Sequence, residues 1–189
     1  MAAELPAELR RRFASVQEDL STAPLPVRWV RSDGIHLTLK FLGEAPESRL
    51  PEIATVLRGA AGGIAPFSLA TEGAAAFPVQ GAPRLIWVEV HGDVAAARQL
   101  ASAIDAATAR IGFAPEAREF RPHLTLGRVK GAARGDWRSI LEQAAGRAAG
   151  GFEVSEYVLF ESRLGPHGAS YAPIERYALG GAAGGGEGR

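Results

Sequence analysis

The sequence contains no cysteine, and its charges cancel. Its 189 residues carry 21 basic and 21 acidic side chains, so the formal net charge is zero. Without cysteine the chain forms no disulfides and has no thiolate nucleophile, zinc finger or iron–sulfur cluster. A neutral chain also lacks the excess positive charge with which general nucleic-acid coating proteins bind. Any function in nucleic-acid chemistry must therefore depend on a local site.

Long hydrophobic runs and targeting signals are also missing. No stretch approaches the roughly 18 apolar residues of a membrane span, and residues 1–12 contain no apolar signal core. The last ten residues, GGAAGGGEGR, offer nothing to bury. We therefore expect a cytoplasmic protein without membrane contact, with one domain over residues 1–179 and a disordered tail over residues 180–189. Nothing in the sequence implies a protein partner, and we expect a monomer.

What the sequence does contain is a repeat. His36-Leu37-Thr38-Leu39 recurs 87 residues later as His123-Leu124-Thr125-Leu126. The surroundings follow in the same register, since Leu85 in RLIWVEV and Ala172 in YAPIERYAL are again 87 residues apart. This agreement predicts an internal duplication that gives two similar lobes.

Each repeat unit reads as strand, helix, strand, a second strand with the HxTx motif, helix and strand. The predicted elements are an amphipathic helix with Leu9, Phe13, Val16 and Leu20 on one face, helices over 46–60, 94–111 (capped by Asp93) and 135–149, and strands over 85–90, 152–161 and 170–179. Several strands are too closely linked for helical crossovers. We therefore predict an α+β fold, with two pseudo-twofold-related lobes of antiparallel sheet and outer helices flanking a central cleft. The spacing places only the end of the first strand within the chain, so either this lobe lost a strand or the true start lies upstream.

The alternation of side chains along a strand gives each motif a core face and a polar face. The leucines point one way, while His36 and Thr38, and likewise His123 and Thr125, point the other way. Facing lobes would bring both pairs to one cleft, where one imidazole takes a proton and the other gives one. Threonine hydroxyls and nearby cations can hold phosphate oxygens without a metal. A single such motif is usually only a polar strand face, but two copies in matched register favour a function.

Two segments, HLTLKFLGE at 36–44 and RPHLTLGR at 121–128, resemble the paired motifs of the two-histidine (2H) phosphoesterases. The flanking words RLIWVEV and VLFESRLGPHGASY make the sequence similar to the LigT-like RNA 2′,3′-cyclic phosphodiesterases, or 2′-5′ RNA ligases. The resemblance implies a LigT-like fold, no cofactor and no metal. It also implies a substrate, an RNA end or nucleotide with a 2′,3′-cyclic phosphate, that is opened to a 2′-phosphomonoester.

The resemblance also assigns roles to the motif residues. It implies that His36 donates a proton to the departing 3′ oxygen, that His123 activates water as the base, and that Thr38 and Thr125 bind the phosphate. The residues alone support the pair of histidines but leave open which is the donor and which the acceptor.

Three cations lie near the motifs. Arg121 shares the face of His123, whereas Arg128 is out of phase unless a bulge at Gly127 re-aims it. The subfamily that the chain resembles often has an arginine at this point, and we predict both arginines as phosphate ligands. Lys40 is in phase with His36, and we predict that it is a solvated lysine at the rim.

The pattern gives less support for a functional role of the remaining aromatic residues and histidines. We predict that Phe41 and Phe120 lie in the core rather than stack on a base, and that Tyr171 lies at the cleft edge, where it could stack. His91 and His167 lie in predicted turns without repeat partners and are expected to be bystanders. No H-E-x-x-H group, G-x-S-x-G elbow or Walker loop occurs, so metalloprotease, serine hydrolase and P-loop chemistry is not expected.

Three alternatives to hydrolysis stay open. Ring opening with a 5′-hydroxyl in place of water would join RNA through a 2′-5′ linkage, and no residue separates the two reactions. A non-catalytic RNA-end or nucleotide-binding module would keep the cleft, although phosphate binding does not require two matched imidazoles. The plainest interpretation is a duplicated α+β scaffold with polar sheet faces.

Overall fold

The computed structural model describes residues 1–23, 25–78, 82–131, 141–142, 145–166 and 168–180. Its helices are α1 (Ala7–Ser21), α2 (Leu50–Ala60) and α3 (Val94–Ala109). Its strands are β1 (Ala2–Ala3), β2 (Val27–Trp29), β3 (Leu37–Thr38), β4 (Phe67–Phe77), β5 (Leu85–Gly92), β6 (His123–Val129), β7 (Gly150–Val154), β8 (Glu156–Gly165) and β9 (Gly168–Ala178). Within these ranges, no helix is both long and apolar enough to cross a membrane.

The helices bury the apolar stripes that their spacing predicts. In α1 the stripe of Leu9, Phe13, Val16 and Leu20 is buried, and in α3 the buried set includes Ala97, Ala101, Ile104 and Thr108. Helix α2 begins at Leu50, later than predicted, because a 3₁₀ turn over Glu47–Arg49 precedes it. Asp93 directly precedes α3 as predicted, but its carboxylate accepts the Ser68 N–H at 3.1 Å instead of capping its own helix.

The strands form one antiparallel sheet in the order β7-β4-β5-β6-β3-β1-β8-β9, and β2 pairs with the end of β6. Strands β3 and β6, which carry the two HxT motifs, are neighbours at its centre, where Leu37 lies opposite Leu124. Both leucines are fully buried, in one core with residues of α1, α2 and α3. The predicted α+β fold with antiparallel pairing is confirmed, while the internal duplication and the single domain over residues 1–179 stay predictions.

Several predicted boundaries differ from the observed ones. The strand predicted over residues 152–161 is two strands: β7 pairs with β4, and after Ser155 the chain continues as β8, which pairs with β1 and β9. Ser155 is thus the point at which the chain passes from one half of the sheet to the other. Strand β1 contains only two residues, in agreement with the predicted shortened first strand.

Two predicted segments fall largely on residues outside the description. The helix predicted over residues 135–149 is described only at 141–142 and in its last part, where Ala145–Ala148 form a 3₁₀ turn. Of the tail predicted over residues 180–189, only Gly180 is described, and its N–H donates to the Ile64 carbonyl at 2.7 Å.

Candidate active site

The two HxT motifs lie side by side on one face of the central strand pair. Because Leu37 is opposite Leu124, continuing the antiparallel register by one residue places His36 beside Thr125 and Thr38 beside His123. All four of these polar residues are half-buried, while the leucines between them are buried on the other face. Diagonal neighbours in such a pair are about 7–8 Å apart. The two histidines therefore lie on one face at the separation of diagonal neighbours.

The ring of His123 is held by its own strand and by β5. Its Nδ1 lies 2.8 Å from the carbonyl oxygen of Arg121, which can only accept a hydrogen bond, so Nδ1 carries the proton. In the neutral imidazole Nε2 is then the unprotonated nitrogen. Trp87, which pairs with Thr125 across β5 and β6, packs its ring 4.8 Å from the His123 ring.

His36 lies between aromatic side chains of the β8–β9 hairpin. Its ring stacks on Phe160, with centroids 5.9 Å apart, and meets the edge of Tyr171 at 4.6 Å. Burial is the main cause that lowers the pKa of His36 to about 4, and the positive charge of the Met1 amino group lowers it further, while the Glu4 carboxylate acts in the opposite direction. His36 is consequently neutral at pH 7 until a negative group comes near it.

A β-bulge turns Arg128 toward this face. Trp87 pairs with Thr125 whereas Ile86 pairs with Gly127, so Leu126 is the additional residue in β6. Arg128 then lies opposite Leu85, which shares the face of Trp87 and His123. The predicted bulge beside Gly127 is confirmed.

Gly127 also permits the approach of β2. A Cβ atom at this position would lie 2.4 Å from Cγ1 of Val27 and 2.9 Å from Cε3 of Trp29. We expect Gly127→Ala to lower the free energy of unfolding by about 1–3 kcal/mol, because β2 must shift to make room. Urea unfolding followed by circular dichroism measures this change.

Gly59→Ala is the matched control for that substitution. A Cβ atom at Gly59, within α2, has no neighbour within 4 Å, so its replacement should be neutral or stabilise the helix by up to about 1 kcal/mol. Equal stabilities for Gly127→Ala and the unchanged protein would contradict the close packing of β2 on β6.

Comparison with known proteins agrees with this geometry. A family model described as the 2′-5′ RNA ligase superfamily matches residues 5–166. The chain belongs to the 2′-5′ RNA ligase superfamily. A superfamily relative from Methanothermobacter thermautotrophicus, named RNA 2′,3′-cyclic phosphodiesterase, is 33% identical over 180 residues, which are 95% of this chain and 97% of that protein. One of the same name from Aeropyrum pernix is 31% identical over 164 residues, covering 86% of this chain and 92% of the relative.

Solved structures with the LigT-like fold resemble this superfamily member over nearly its whole length. The protein TT0787 of Thermus thermophilus superposes with a TM-score of 0.77 at 26% identity, covering 94% of this chain and 95% of that one. E. coli LigT complexed with 3′-AMP gives a TM-score of 0.74 at 26% identity, covering 95% and 96%. The resemblance to the 2H phosphoesterases and the LigT-like fold are thereby confirmed.

Of the predicted cations, Arg121 is exposed and Lys40 is buried in this superfamily member. The side chain of Arg121 is exposed beside His123 and has no ion-pair partner in the described parts of the chain. The prediction that Lys40 is solvated is wrong, because only 2% of it is exposed. Its ammonium group donates to Asp105 on α3 and to the carbonyl of Ala114.

The other predictions have mixed outcomes. Phe41 is 61% exposed, so its assignment to the core is wrong, whereas Phe120 packs against the core as predicted. Tyr171 lies at the site, against His36. His91 is exposed, 3.5 Å from Glu72, and His167 is outside the described residues. Where the structure describes the chain, no three His, Asp or Glu side chains group so as to hold a metal ion.

Sequence reasoning missed the neighbours that hold the two imidazoles. Trp87 and Glu89 lie directly opposite Thr125 and His123 on β5, and Phe160 stacks on His36. The alternation in RLIWVEV places Trp87 and Glu89 on one face, but no local pattern states which strand lies beside β6. These contacts join residues far apart in the chain, so only the strand order brings them together.

Proposed function

We propose that this chain is an RNA 2′,3′-cyclic phosphodiesterase that opens a terminal 2′,3′-cyclic phosphate to a 2′-phosphomonoester. The observation that carries the proposal is the pairing of Leu37 with Leu124, whose register brings His36 beside Thr125 and Thr38 beside His123 on one half-buried face. The names of the relatives from Methanothermobacter and Aeropyrum support the substrate class.

In the proposed reaction His123 is the base and His36 the acid. Nε2 of His123 takes a proton from water as the water oxygen attacks phosphorus, the bond from phosphorus to the 3′ oxygen breaks, and His36 gives its proton to that oxygen. The hydrogen bond from Nδ1 of His123 to the Arg121 carbonyl supports this order, because it leaves Nε2 free to accept. Thr38 and Thr125 donate to non-bridging oxygens, and Arg121 and Arg128 supply positive charge from the two ends of β6.

The lowered pKa of His36 gives the reaction a defined pH dependence. In the active form one imidazole is protonated and the other is neutral. Activity is therefore lost when both rings are protonated, whichever histidine is the acid. Since the pKa of His36 in the free protein is about 4, we expect the acid limb of kcat/KM near pH 4 rather than near the ordinary imidazole value of about 6.5. In kcat the limb should lie higher, because the bound phosphate favours the protonated ring.

Substitution of Phe160 tests the cause of that shift. Phe160→Ser admits water to the His36 ring and should move the acid limb toward 6.5, whereas Phe160→Leu keeps the pocket apolar and should leave it low. Circular dichroism at each pH checks that the protein stays folded. An acid limb near 6.5 in the unchanged protein would contradict this account of His36.

The activity itself is tested by incubating the protein with 2′,3′-cyclic CMP in excess EDTA and identifying the product by chromatography. Because the four motif side chains and the arginines supply every proton transfer and phosphate contact, we expect full turnover to 2′-CMP in the chelator. Loss of activity in EDTA that returns with a divalent metal would contradict the metal-independent mechanism. Binding without turnover would favour the RNA-end binding module instead.

Ligation is the same ring-opening step with a 5′-hydroxyl in the place of water: its oxygen attacks phosphorus, the bond to the 3′ oxygen breaks and a 2′-5′ linkage forms. Adding an RNA with a 5′-hydroxyl to the assay and probing for a 2′-5′ linkage separates the two reactions. The concentration of water favours hydrolysis. A cytoplasmic location and a monomeric state stay predictions.

A further inference from the structure

Two arginines face each other at the end of the cleft. Arg28 on β2 is the direct cross-strand partner of Arg128 on β6. Trp29 and Gly127, the adjacent pair, contact each other on the core side, so both arginines lie on the opposite face, which is the face of His123. The proposed function gives Arg28 no role.

The guanidinium of Arg28 is fixed without being neutralised. Its Nη2 donates to the carbonyl oxygens of Gly165 at 3.3 Å and Pro166 at 3.1 Å, in the turn of the β8–β9 hairpin. Across the described residues, no carboxylate pairs with Arg28 or Arg128, and the Nε and Nη1 donors of Arg28 have no acceptor. The anchored side chain therefore presents a pre-positioned edge of N–H groups.

Like charges directly opposite on two strands destabilise a sheet unless an anion lies between them. Two guanidinium forks with free N–H groups match the oxygens of a phosphate. Because of the bulge at Leu126, Arg128 lies opposite Leu85, two residues along β5 from the partner of Thr125, which is about 7 Å along the strand. This arginine pair therefore lies further along the cleft than the phosphate held between the histidines.

We infer that Arg28 and Arg128 form a second phosphate site, which binds the phosphodiester on the 5′ side of the terminal nucleotide. The preferred substrate is then an oligonucleotide end rather than a free nucleoside 2′,3′-cyclic phosphate. The inference rests on the proposed function and specifies which phosphate Arg128 holds.

The test compares three substrates that end in the same uridine 2′,3′-cyclic phosphate: the mononucleotide, a dinucleotide, and that dinucleotide with an uncharged methylphosphonate linkage. For the unchanged protein, kcat/KM should be about tenfold higher for the charged dinucleotide than for the methylphosphonate. In Arg28→Gln the ratio of the two kcat/KM values should fall to less than about three, and Arg28→Lys should keep part of the preference for the charged dinucleotide. Using a ratio removes any general effect of a loosened hairpin on His36.

Arg163→Gln is the matched control. Arg163 lies on the same hairpin but pairs with Glu161 at 2.7 Å, on the face away from Phe160, so its loss removes one positive charge without touching the cleft. The ratio for Arg163→Gln should equal that of the unchanged protein. A similar fall in both variants would mean that only the overall charge matters, and would overturn the second site.

A binding measurement keeps the inference separate from the proposed function. The affinity for a dinucleotide with a 2′-phosphate end should fall with salt, and Arg28→Gln should reduce the slope of log K against log[salt] by about 0.7. If the mononucleotide is hydrolysed but neither the ratio nor the slope changes in Arg28→Gln, the second site is wrong and the proposed function stands. If no cyclic phosphate is hydrolysed, the proposed function fails, and with it the substrate preference, even where the slope changes.

Discussion

Replacing either motif histidine by alanine is expected to lower kcat/KM for 2′,3′-cyclic CMP by about 10²–10⁴-fold, the usual contribution of a general acid or base. The double variant His36→Ala/His123→Ala should be little worse than either single variant, because the two imidazoles act in one step. Steady-state kinetics of purified, folded variants measure both effects. His91→Ala is the matched control: this exposed histidine lies near the end of β5, two residues beyond Glu89, where it pairs with Ala70 and lies beside Glu72, and its loss should leave the rate unchanged.

The same variants can assign the acid and the base. In a substrate in which sulfur replaces the 3′ oxygen, the leaving group departs as a thiolate. A thiolate needs no proton from the enzyme, because a thiol has a pKa near 8.5. His36→Ala should then recover most of its lost rate, and His123→Ala should recover none. The opposite pattern would reverse the roles of the two histidines. Unchanged rates in both alanine variants with the natural substrate would remove the two-histidine mechanism altogether.

The substitution Lys40→Ala is expected to lower the free energy of unfolding by about 3–5 kcal/mol, the largest change in stability predicted for this chain. Lys40 is the buried partner of an ion pair with Asp105, whose side chain is 24% exposed. Asp105 also accepts the N–H of Glu116 at 3.1 Å, and Lys40 donates to the carbonyl of Ala114. Removing the ammonium group leaves this carbonyl and the carboxylate without their donor. Urea unfolding measures the loss.

Two further variants show whether the charge pair is the cause. Lys40→Met/Asp105→Leu removes both charges while keeping apolar volume, and should recover much of the stability lost in Lys40→Ala. Arg163→Gln, which breaks an exposed ion pair with Glu161, should cost less than about 1 kcal/mol. A small loss in Lys40→Ala, similar to that in Arg163→Gln, would contradict the buried pair.

The Lys40 contacts also connect the two motifs. Lys40 follows the first motif directly, and the segment that it binds, around residues 114–116, leads to Arg121 and His123. The irregular pairing after β3 explains why Lys40 is buried. The period of two predicts that Lys40 shares the face of His36, but the N–H groups of Leu39 and Lys40 both donate to the Met1 carbonyl, so the alternation does not continue and the side chain of Lys40 reaches Asp105 on α3. An alternation pattern predicts the face of a residue only where the strand pairing stays regular.

The two faces of the HxT motifs could be predicted from the sequence alone. The alternation of leucine with histidine and threonine predicts a buried face and a polar face, and the structure has both. The exact repeat of the motif predicts that both pairs meet at one site, as the pairing of Leu37 with Leu124 shows for the strands that carry them. The bulge beside Gly127 was also predictable, because glycine permits the irregular backbone that re-aims Arg128.

The sequence by itself determined the fold class, the family and the two histidine–threonine pairs, because these depend on residue types and short periodic spacings. Only the tertiary structure decided that Phe160 and Trp87 hold the two imidazoles, that Lys40 is buried, and that Arg28 lies opposite Arg128. Each of these contacts depends on which strands and helices become neighbours. That choice is made by the packing of the whole core, in which residues more than a hundred positions apart, such as His36 and Phe160, come into contact.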